Sequence, residues 1–195
     1  MTPVRRRGRV FVVSSPSGGG KTTVVREVLE QLPNLTRSVS VTTRPRRSGE
    51  RSGRDYRFVS PRVFERLRTD DQLLEWARVH QALYGTPRAP VERVVARGRD
   101  VICNIDVQGA RQIKRRLGAC VVLVFLLPPS LKDLQARLIR RGTDSREAIR
   151  RRLQTARREL ACVQWYDYAI VNRRIGEAVA QLKTIVLAER LRVSS

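Results

Sequence analysis

A glycine-rich segment near the start of the chain, Ser15-Pro-Ser-Gly-Gly-Gly-Lys-Thr22, constrains the fold more than any other feature. It follows an apolar, β-branched run from Val10 to Val13 and precedes apolar residues at helical spacing from Lys21 to Leu32. This order predicts a buried strand, a tight glycine turn and a helix. Apart from Ser15, which stands in place of a glycine, the segment matches the G-x-x-x-x-G-K-[ST] pattern of phosphate-binding loops.

The residue types of this loop suit a nucleoside triphosphate. Glycines let backbone N–H groups turn toward phosphate oxygens, and the start of the following helix adds a positive potential. Lys21 would neutralise charge on the β- and γ-phosphates, and the Thr22 hydroxyl can ligate Mg²⁺. We therefore assign ATP binding to the whole loop, Ser15, Pro16, Ser17, Gly18, Gly19, Gly20, Lys21 and Thr22. The alternative is a glycine turn that binds nothing.

Three further apolar segments, 101–105, 120–127 and 168–171, alternate with helical patterns at 107–117, 131–141 and 175–191. The alternation predicts an α/β fold in which a parallel sheet is flanked by helices. The first of these segments is followed by Asp106, an arrangement that places a carboxylate near the metal in many phosphate-loop proteins. Capping of the next helix by Asp106 is the alternative.

Two stretches depart from this alternation. Residues 36–97 hold short apolar runs separated by Gly, Pro and Arg, which indicates a small β-rich insertion. Residues 140–159 are very basic and have few apolar anchors, so we expect a mobile segment that contains a helix from about Ser145. We interpret the 195 residues as a single domain, with a core formed by 9–35, 98–139 and 160–195.

The composition narrows the class of protein. No apolar run approaches the roughly 20 residues that span a membrane, and no targeting segment is evident, so we expect a cytoplasmic protein. Three widely spaced cysteines, Cys103, Cys120 and Cys162, indicate buried thiols rather than disulfides or a zinc site. The net charge of +22 suits nucleic acid or polyanionic small molecules, but no sequence-specific nucleic-acid motif is present.

Several longer motifs, in the same order along the chain, resemble those of the guanylate kinase family. They are the phosphate loop, Ser38-Val-Ser-Val-Thr-Thr-Arg-Pro-Arg-Arg-Ser-Gly-Glu50, Gly53-Arg-Asp-Tyr-Arg-Phe58, Leu74-Glu-Trp-Ala77, Tyr84-Gly-Thr86, Asn104-Ile-Asp-Val-Gln-Gly109, Pro128-Pro-Ser130, Arg141-Gly-Thr143 and Ile170-Val-Asn172. The resemblance covers about 9–192. It implies a Mg²⁺-dependent enzyme that transfers the γ-phosphoryl group of ATP to GMP, with the GMP-binding region in 36–97 and the lid in 140–159.

The resemblance also implies residue roles. The GMP phosphate would be held by Arg44, Arg47, Tyr56 and Tyr84, and guanine would be contacted by Ser40, Glu75 and Thr86, with Asp106 beside GMP. Lys21 and the lid arginines Arg137, Arg141 and Arg152 would be catalytic, Asn172 would contact ATP, and Thr22 and Asp106 would hold Mg²⁺, directly or through water. Glu75 suits guanine because one carboxylate accepts from both N1–H and the N2 amino group.

Some positions depart from the family pattern. Asn104 stands where aspartate is usual, Arg173 and Arg174 where acidic residues are usual, and Arg46 where proline is usual. A sugar-phosphate kinase, a non-catalytic scaffold of the same fold and a nucleic-acid binder are the alternatives. Lys21 with Thr22 argues against the scaffold, and Glu75 with the paired arginines argues against the sugar-phosphate kinase. The sequence leaves a monomer and a homodimer equally open.

Overall fold

The computed structural model describes residues 6–79, 81–140, 142 and 145–193. The strands, numbered in chain order, are β1 (Val10–Ser14), β2 (Leu35–Arg37), β3 (Val41–Thr42), β4 (Arg57–Phe58), β5 (Leu73–Val79), β6 (Ala82–Pro87), β7 (Asp100–Asn104), β8 (Val121–Leu127) and β9 (Tyr168–Val171). The helices are α1 (Lys21–Gln31), α2 (Pro61–Thr69), α3 (Arg88–Ala96), α4 (Val107–Leu117), α5 (Leu131–Arg140), α6 (Arg146–Leu160) and α7 (Ile175–Leu191).

The larger sheet has five strands in the order β2-β7-β1-β8-β9, all parallel. Phe11 and Val13 of β1 pack with residues of α1 and α7 on one face, whereas Val10 and Val12 pack with residues of α3 and α4 on the other. Because both faces are covered, every residue of β1 is buried, which explains its uninterrupted apolar sequence. The predicted α/β class, a parallel sheet flanked by helices, is confirmed.

The insertion forms a second sheet of four strands in the order β4-β3-β6-β5, which spans 41–87. Phe64 of α2 is fully buried against this sheet, beside Val41 and Leu73. Both ends of 36–97 contribute instead to the larger sheet, since β2 pairs with β7 and α3 packs against β7. The sequence predictions missed α2, α3, β2 and β6. Ser60, which caps α2 through its hydroxyl, and Pro61 were the available signals for α2.

The basic segment 140–159 includes α6, which begins at Arg146 after the capping residue Ser145. Its apolar anchors are more numerous than we inferred, because Ile149, Leu153 and Ala156 pack against Leu134 and Leu138 of α5. The mobility of this segment stays a prediction. None of the helices in the described part of the chain is long and apolar enough to cross a membrane. Cys103 is buried as expected, whereas Cys120 and Cys162 are partly exposed.

Candidate active site

The phosphate loop joins β1 to α1 at the edge of the sheet where the parallel strands end. Gly18 and Gly20 have φ angles of 94° and 88°, a region that glycine enters without strain. Ser15 is buried, and a Cβ on Gly19 would lie 1.9 Å from the Ser15 hydroxyl oxygen. The serine that replaces the usual first glycine is therefore packed against Gly19, which must remain without a side chain. Pro16 is buried and Ser17 exposed.

Lys21 connects the phosphate loop to the end of the neighbouring strand β7. Its ammonium group donates a hydrogen bond to the carbonyl oxygen of Ile105 at 2.9 Å. Burial lowers the pKa of Lys21, while the charges of Asp106 and Glu159 act in the opposite direction. Thr22 is exposed in the first turn of α1. The ammonium group of Lys21 is thus partly desolvated and lies near two carboxylates, those of Asp106 and Glu159.

Asp106 lies between the phosphate loop and the second sheet. Its Oδ1 accepts a hydrogen bond from the backbone N–H of Gly109 at 2.8 Å, which caps α4. The capping role that we considered as an alternative is therefore present. The charge of Asp106 also acts on Lys21 and on Glu75, so this carboxylate is near both. Asn104, at the end of β7, pairs in register with Val13 of β1.

Glu75 is a nearly inaccessible carboxylate on β5, with 5% of its surface exposed. Its Oε1 accepts a hydrogen bond from the hydroxyl of Thr86, the residue opposite on β6, at 2.7 Å. A Cβ on Gly109 would come within 2.8 Å of its Oε2, so α4 approaches this carboxylate closely. Burial, together with the charge of Asp106, raises the pKa of Glu75 to about 7, against the opposing hydrogen bond from Thr86.

Arg44 lies two residues after β3 of the second sheet, among aromatic residues. Its Nε donates to the Tyr84 hydroxyl at 3.3 Å, and its guanidinium carbon lies 5.3 Å from the centre of the Tyr56 ring. The rings of Tyr56 and Tyr84 meet edge to face, with centres 5.9 Å apart. Arg47 has an exposed side chain in the loop that follows. Ser40, which precedes β3, is partly buried, and its carbonyl accepts from the N–H of Arg57 at 2.9 Å.

Asn172 and two arginines border the phosphate loop on the side away from the second sheet. Asn172 is fully buried, and its amide nitrogen donates to the carbonyl of Gly19 at 2.7 Å. Arg137 of α5 donates to the carbonyl of Asn172 at 2.9 Å. Arg152 of α6 donates to the hydroxyl of Ser17 at 3.2 Å. Arg141 lies outside the described residues.

A cavity of about 360 Å³ opens beside these residues. Its lining includes Gly18, Asn172 and three arginines, Arg137, Arg140 and Arg173. Arg173, one of the departures from the family pattern, therefore adds positive charge on the side where ATP binding is predicted. The structure thus brings together the predicted ATP residues that it describes.

Three residues of this arrangement were missed by sequence reasoning. Glu50 binds Arg44 through both of its carboxylate oxygens, at 2.7 and 2.9 Å. Glu159 of α6 interacts electrostatically with Lys21 and Asp106, and burial raises its pKa to about 6. Gln112 of α4 exchanges two hydrogen bonds with the backbone of Trp76, next to Glu75. Glu50 is the last residue of the motif that begins at Ser38. Glu159 and Gln112 had no sequence signal, because their partners are distant in the chain.

Comparison with known proteins agrees with this geometry. The family profile described as "Guanylate kinase" matches residues 7–189. A guanylate kinase of Rhizobium etli is 52% identical over 189 residues, which cover 97% of this chain and 86% of the relative. One of Mesorhizobium japonicum is 51% identical, with coverage of 97% and 87%.

A solved structure leads to the same family. The crystal structure of a guanylate kinase from Anaplasma phagocytophilum superimposes with a TM-score of 0.81 at 36% sequence identity, and covers 96% of this chain and 89% of that one. The family profile and the curated relatives extend over nearly the whole length, across both sheets and the segment with α5 and α6. The chain belongs to the guanylate kinase family.

Proposed function

We propose that this chain transfers the γ-phosphoryl group of ATP to GMP, giving ADP and GDP. The observation that carries the proposal is the position of Asp106. Its chain neighbour Ile105 accepts a hydrogen bond from Lys21 of the phosphate loop, and Gly109, which Asp106 caps, closely approaches the buried Glu75. A phosphate-binding loop and a buried acceptor suited to guanine therefore flank one carboxylate. Two nucleotides bound on these two sides would present their phosphates to each other.

On the GMP side, one buried carboxylate would recognise the purine through hydrogen bonds. Ionised Glu75 can accept from N1–H and the N2 amino group of guanine, whereas adenine would present the lone pair of its N1 to the same anion. The hydroxyls of Thr86 and Ser40 supply further polar contacts. Arg44, Arg47, Tyr56 and Tyr84 would hold the phosphate of GMP, which carries close to two negative charges.

On the ATP side, the phosphate loop would hold the triphosphate through its backbone N–H groups and Lys21. Asn172 stabilises the loop by its bond to the carbonyl of Gly19, and a Cβ on Gly20 would lie only 2.4 Å from its amide nitrogen. Arg137 and Arg152 reach this region from α5 and α6, and Arg141 is proposed to join them. Their positive charge would stabilise the transferring phosphoryl group.

Phosphoryl transfer requires alignment and charge stabilisation rather than a nucleophilic side chain. The attacking group is a phosphate oxygen of GMP, so this chain binds and orients both reactants. Closure of α6 over the phosphate loop, where Arg152 already contacts Ser17, would exclude water that otherwise hydrolyses ATP.

The side chains near the loop fit a Mg²⁺ ion that accompanies ATP. No group of three or more His, Cys, Asp or Glu suited to a metal occurs among the described residues. Mg²⁺ in kinases typically takes one or two protein ligands, with water and phosphate oxygens completing its shell. The Thr22 hydroxyl and the Asp106 carboxylate are the proposed protein ligands, directly or through water. The bound ion would neutralise charge on the β- and γ-phosphates.

The alternatives fit these observations less well. A sugar-phosphate kinase would have no use for the buried pair of Glu75 and Thr86, and a scaffold that binds no ATP would not need Lys21. A coupled assay of ADP release with GMP, AMP, UMP and ribose phosphates tests the proposal. We expect turnover with GMP at least about 100-fold above the others, since an unmatched buried polar group costs that much or more. Equal turnover of a ribose phosphate would overturn it. Cytoplasmic location is part of the same proposal.

A pH dependence follows from the raised pKa of Glu75. Below about pH 7 the carboxyl is protonated in the free protein, and it then cannot accept from both guanine donors. Affinity should therefore rise with pH, by about tenfold between pH 6 and 8 for a group with this pKa. Calorimetric titration with guanosine measures this without interference from ionisation of a phosphate. A flat profile would contradict the assigned role of Glu75.

The high positive charge leads to a prediction about nucleic acid. Binding should be independent of sequence and weak at physiological salt, with dissociation constants above roughly 10⁻⁶ M, because scattered arginines would contact phosphates alone. Fluorescence anisotropy with two unrelated RNA and two unrelated DNA oligonucleotides, in about 50 to 200 mM salt, measures it. Tight binding of one sequence at the higher salt concentration would contradict the prediction.

A further inference from the structure

Glu50 is a carboxylate to which the proposed mechanism gives no role, although it holds the central phosphate-binding residue. Its Oε1 accepts from Nη2 of Arg44 at 2.7 Å, and its Oε2 accepts from Nη1 at 2.9 Å. Oε2 also accepts from the backbone N–H of Arg47 at 2.8 Å. One carboxylate therefore binds both arginines that are expected to contact the GMP phosphate.

The remaining contacts of Arg44 restrict how it can bind a ligand. A guanidinium has five N–H donors, arranged on two edges that each suit an oxyanion. Glu50 occupies the edge formed by the two terminal nitrogens, and the carbonyl of Pro45 accepts a further bond from Nη1 at 2.7 Å. The ring centre of Tyr56 lies 5.3 Å and that of Phe58 5.6 Å from the guanidinium carbon.

One edge of Arg44 is left for a substrate. It consists of Nε–H, whose bond to the Tyr84 hydroxyl is long at 3.3 Å, and of the second N–H of Nη2. This edge faces the side where Tyr84, a predicted phosphate ligand, is found. A phosphate oxygen pair can bind such an edge in the same two-point manner as a carboxylate.

We propose that Glu50 is a positioning residue, which occupies the terminal edge of Arg44 and so directs the Nε–Nη2 edge toward the phosphate of GMP. The inference rests on the proposed function. The hydrogen bonds from Arg44, and secondarily from the N–H of Arg47, lower the pKa of Glu50 to about 2. The carboxylate is thus ionised at any pH where the enzyme would work, so it can pair with Arg44 throughout that range.

The test compares ligands with and without the phosphate. Calorimetric titrations with GMP and with guanosine are made on the wild-type chain, Glu50→Gln, Arg44→Ala and the double variant. Glu50→Gln should weaken GMP binding by about tenfold, because the amide cannot accept from both terminal nitrogens, and should leave guanosine binding unchanged. In the Arg44→Ala background, Glu50→Gln should change the dissociation constant of GMP by less than about twofold, because Glu50 is proposed to act through Arg44.

A matched control is available on α2, which packs against the same sheet. Glu65 forms an ion pair with Arg68 on α2, away from the predicted phosphate ligands, and Glu65→Gln should leave the affinities for both ligands unchanged. Equal affinity of Glu50→Gln and wild type for GMP would overturn the inference. An equal loss of affinity for guanosine would also overturn it, because that would mean general disruption of the site. So would a loss of GMP affinity by about tenfold when Glu50→Gln is added to Arg44→Ala.

A second variant and the enzymatic assay separate this inference from the proposed function. Glu50→Asp keeps the charge but is one methylene shorter, so it should also weaken the binding of GMP and leave the binding of guanosine unchanged. If the wild-type chain fails to phosphorylate GMP, the proposed function is wrong, and the inference about Glu50 falls with it. If it phosphorylates GMP while both Glu50 variants bind GMP normally, the inference about Glu50 alone is wrong.

Discussion

Replacement of Lys21 by methionine is expected to lower kcat for GMP phosphorylation by about 100- to 1,000-fold, the range seen when one preorganised electrostatic donor is removed. The ammonium group is positioned at 2.9 Å from the Ile105 carbonyl, between the phosphate loop and Asp106. From this position the ammonium group can stabilise the negative charge that develops on the transferring phosphoryl group. Methionine has a similar length and no charge, so shape is kept while the electrostatic contribution is lost. Steady-state kinetics with saturating ATP and GMP measure the effect.

The fold should survive this change. Burial lowers the pKa of Lys21, which means that its charged form is poorly solvated in the folded chain. Removal of the charge therefore carries no large penalty for stability, and we expect the melting temperature to be equal to or above that of the wild type. Lys183→Met is the matched control, because Lys183 of α7 donates a hydrogen bond to Gln31, which lies at the opposite end of α1 from Lys21. A Lys21→Met enzyme that kept more than about a tenth of wild-type kcat, a loss under ~1.4 kcal/mol, would contradict the assigned role.

Replacement of Glu75 by glutamine is expected to reduce kcat/KM for GMP by roughly 2 to 4 kcal/mol, which is about 30- to 1,000-fold. The substitution keeps the shape of the side chain but turns one acceptor oxygen into a donor. That amide would face a donor of guanine inside a site where only 5% of the Glu75 surface is exposed, so neither group could turn to water. Measurement of kcat/KM for GMP in both proteins gives the size of the effect.

Affinity for ATP separates a specific effect from general damage. The phosphate loop lies on the larger sheet and Glu75 on the second one, so the dissociation constant of ATP should be nearly unchanged. Glu92→Gln, an exposed position on α3, is a suitable control. Equal GMP efficiency in the wild type and Glu75→Gln would remove Glu75 from the guanine site and reopen the sugar-phosphate kinase alternative. A parallel loss of ATP affinity would indicate that the whole site had been disturbed.

The core of the fold was predictable because its signals are local. The runs that form β1, β7 and β8 are apolar without alternation, since the parallel sheet between two helical layers buries both faces of these strands, whereas the edge strand β9 is only partly buried. The phosphate loop was recognisable because backbone geometry requires glycine at fixed positions, as the positive φ of Gly18 and Gly20 illustrates. The insertion was predicted less well. Strand β2 has only three residues and β3 and β4 two each, too few for a periodic pattern.

Sequence alone determined the fold class, the phosphate loop and, through motifs in a fixed order, the family and the candidate residues. Only the tertiary structure decided how these residues act on each other. Asp106 lies near both Lys21 and Glu75 because α4 starts between the loop and the second sheet, and burial raises the pKa of Glu75 although Thr86 donates a hydrogen bond to its carboxylate. Such effects depend on burial and on distances between residues far apart in the chain. The pairing of Glu50 with Arg44 depends equally on geometry. The sequence shows that both residues are charged, but only the structure shows which edge of the guanidinium the carboxylate contacts.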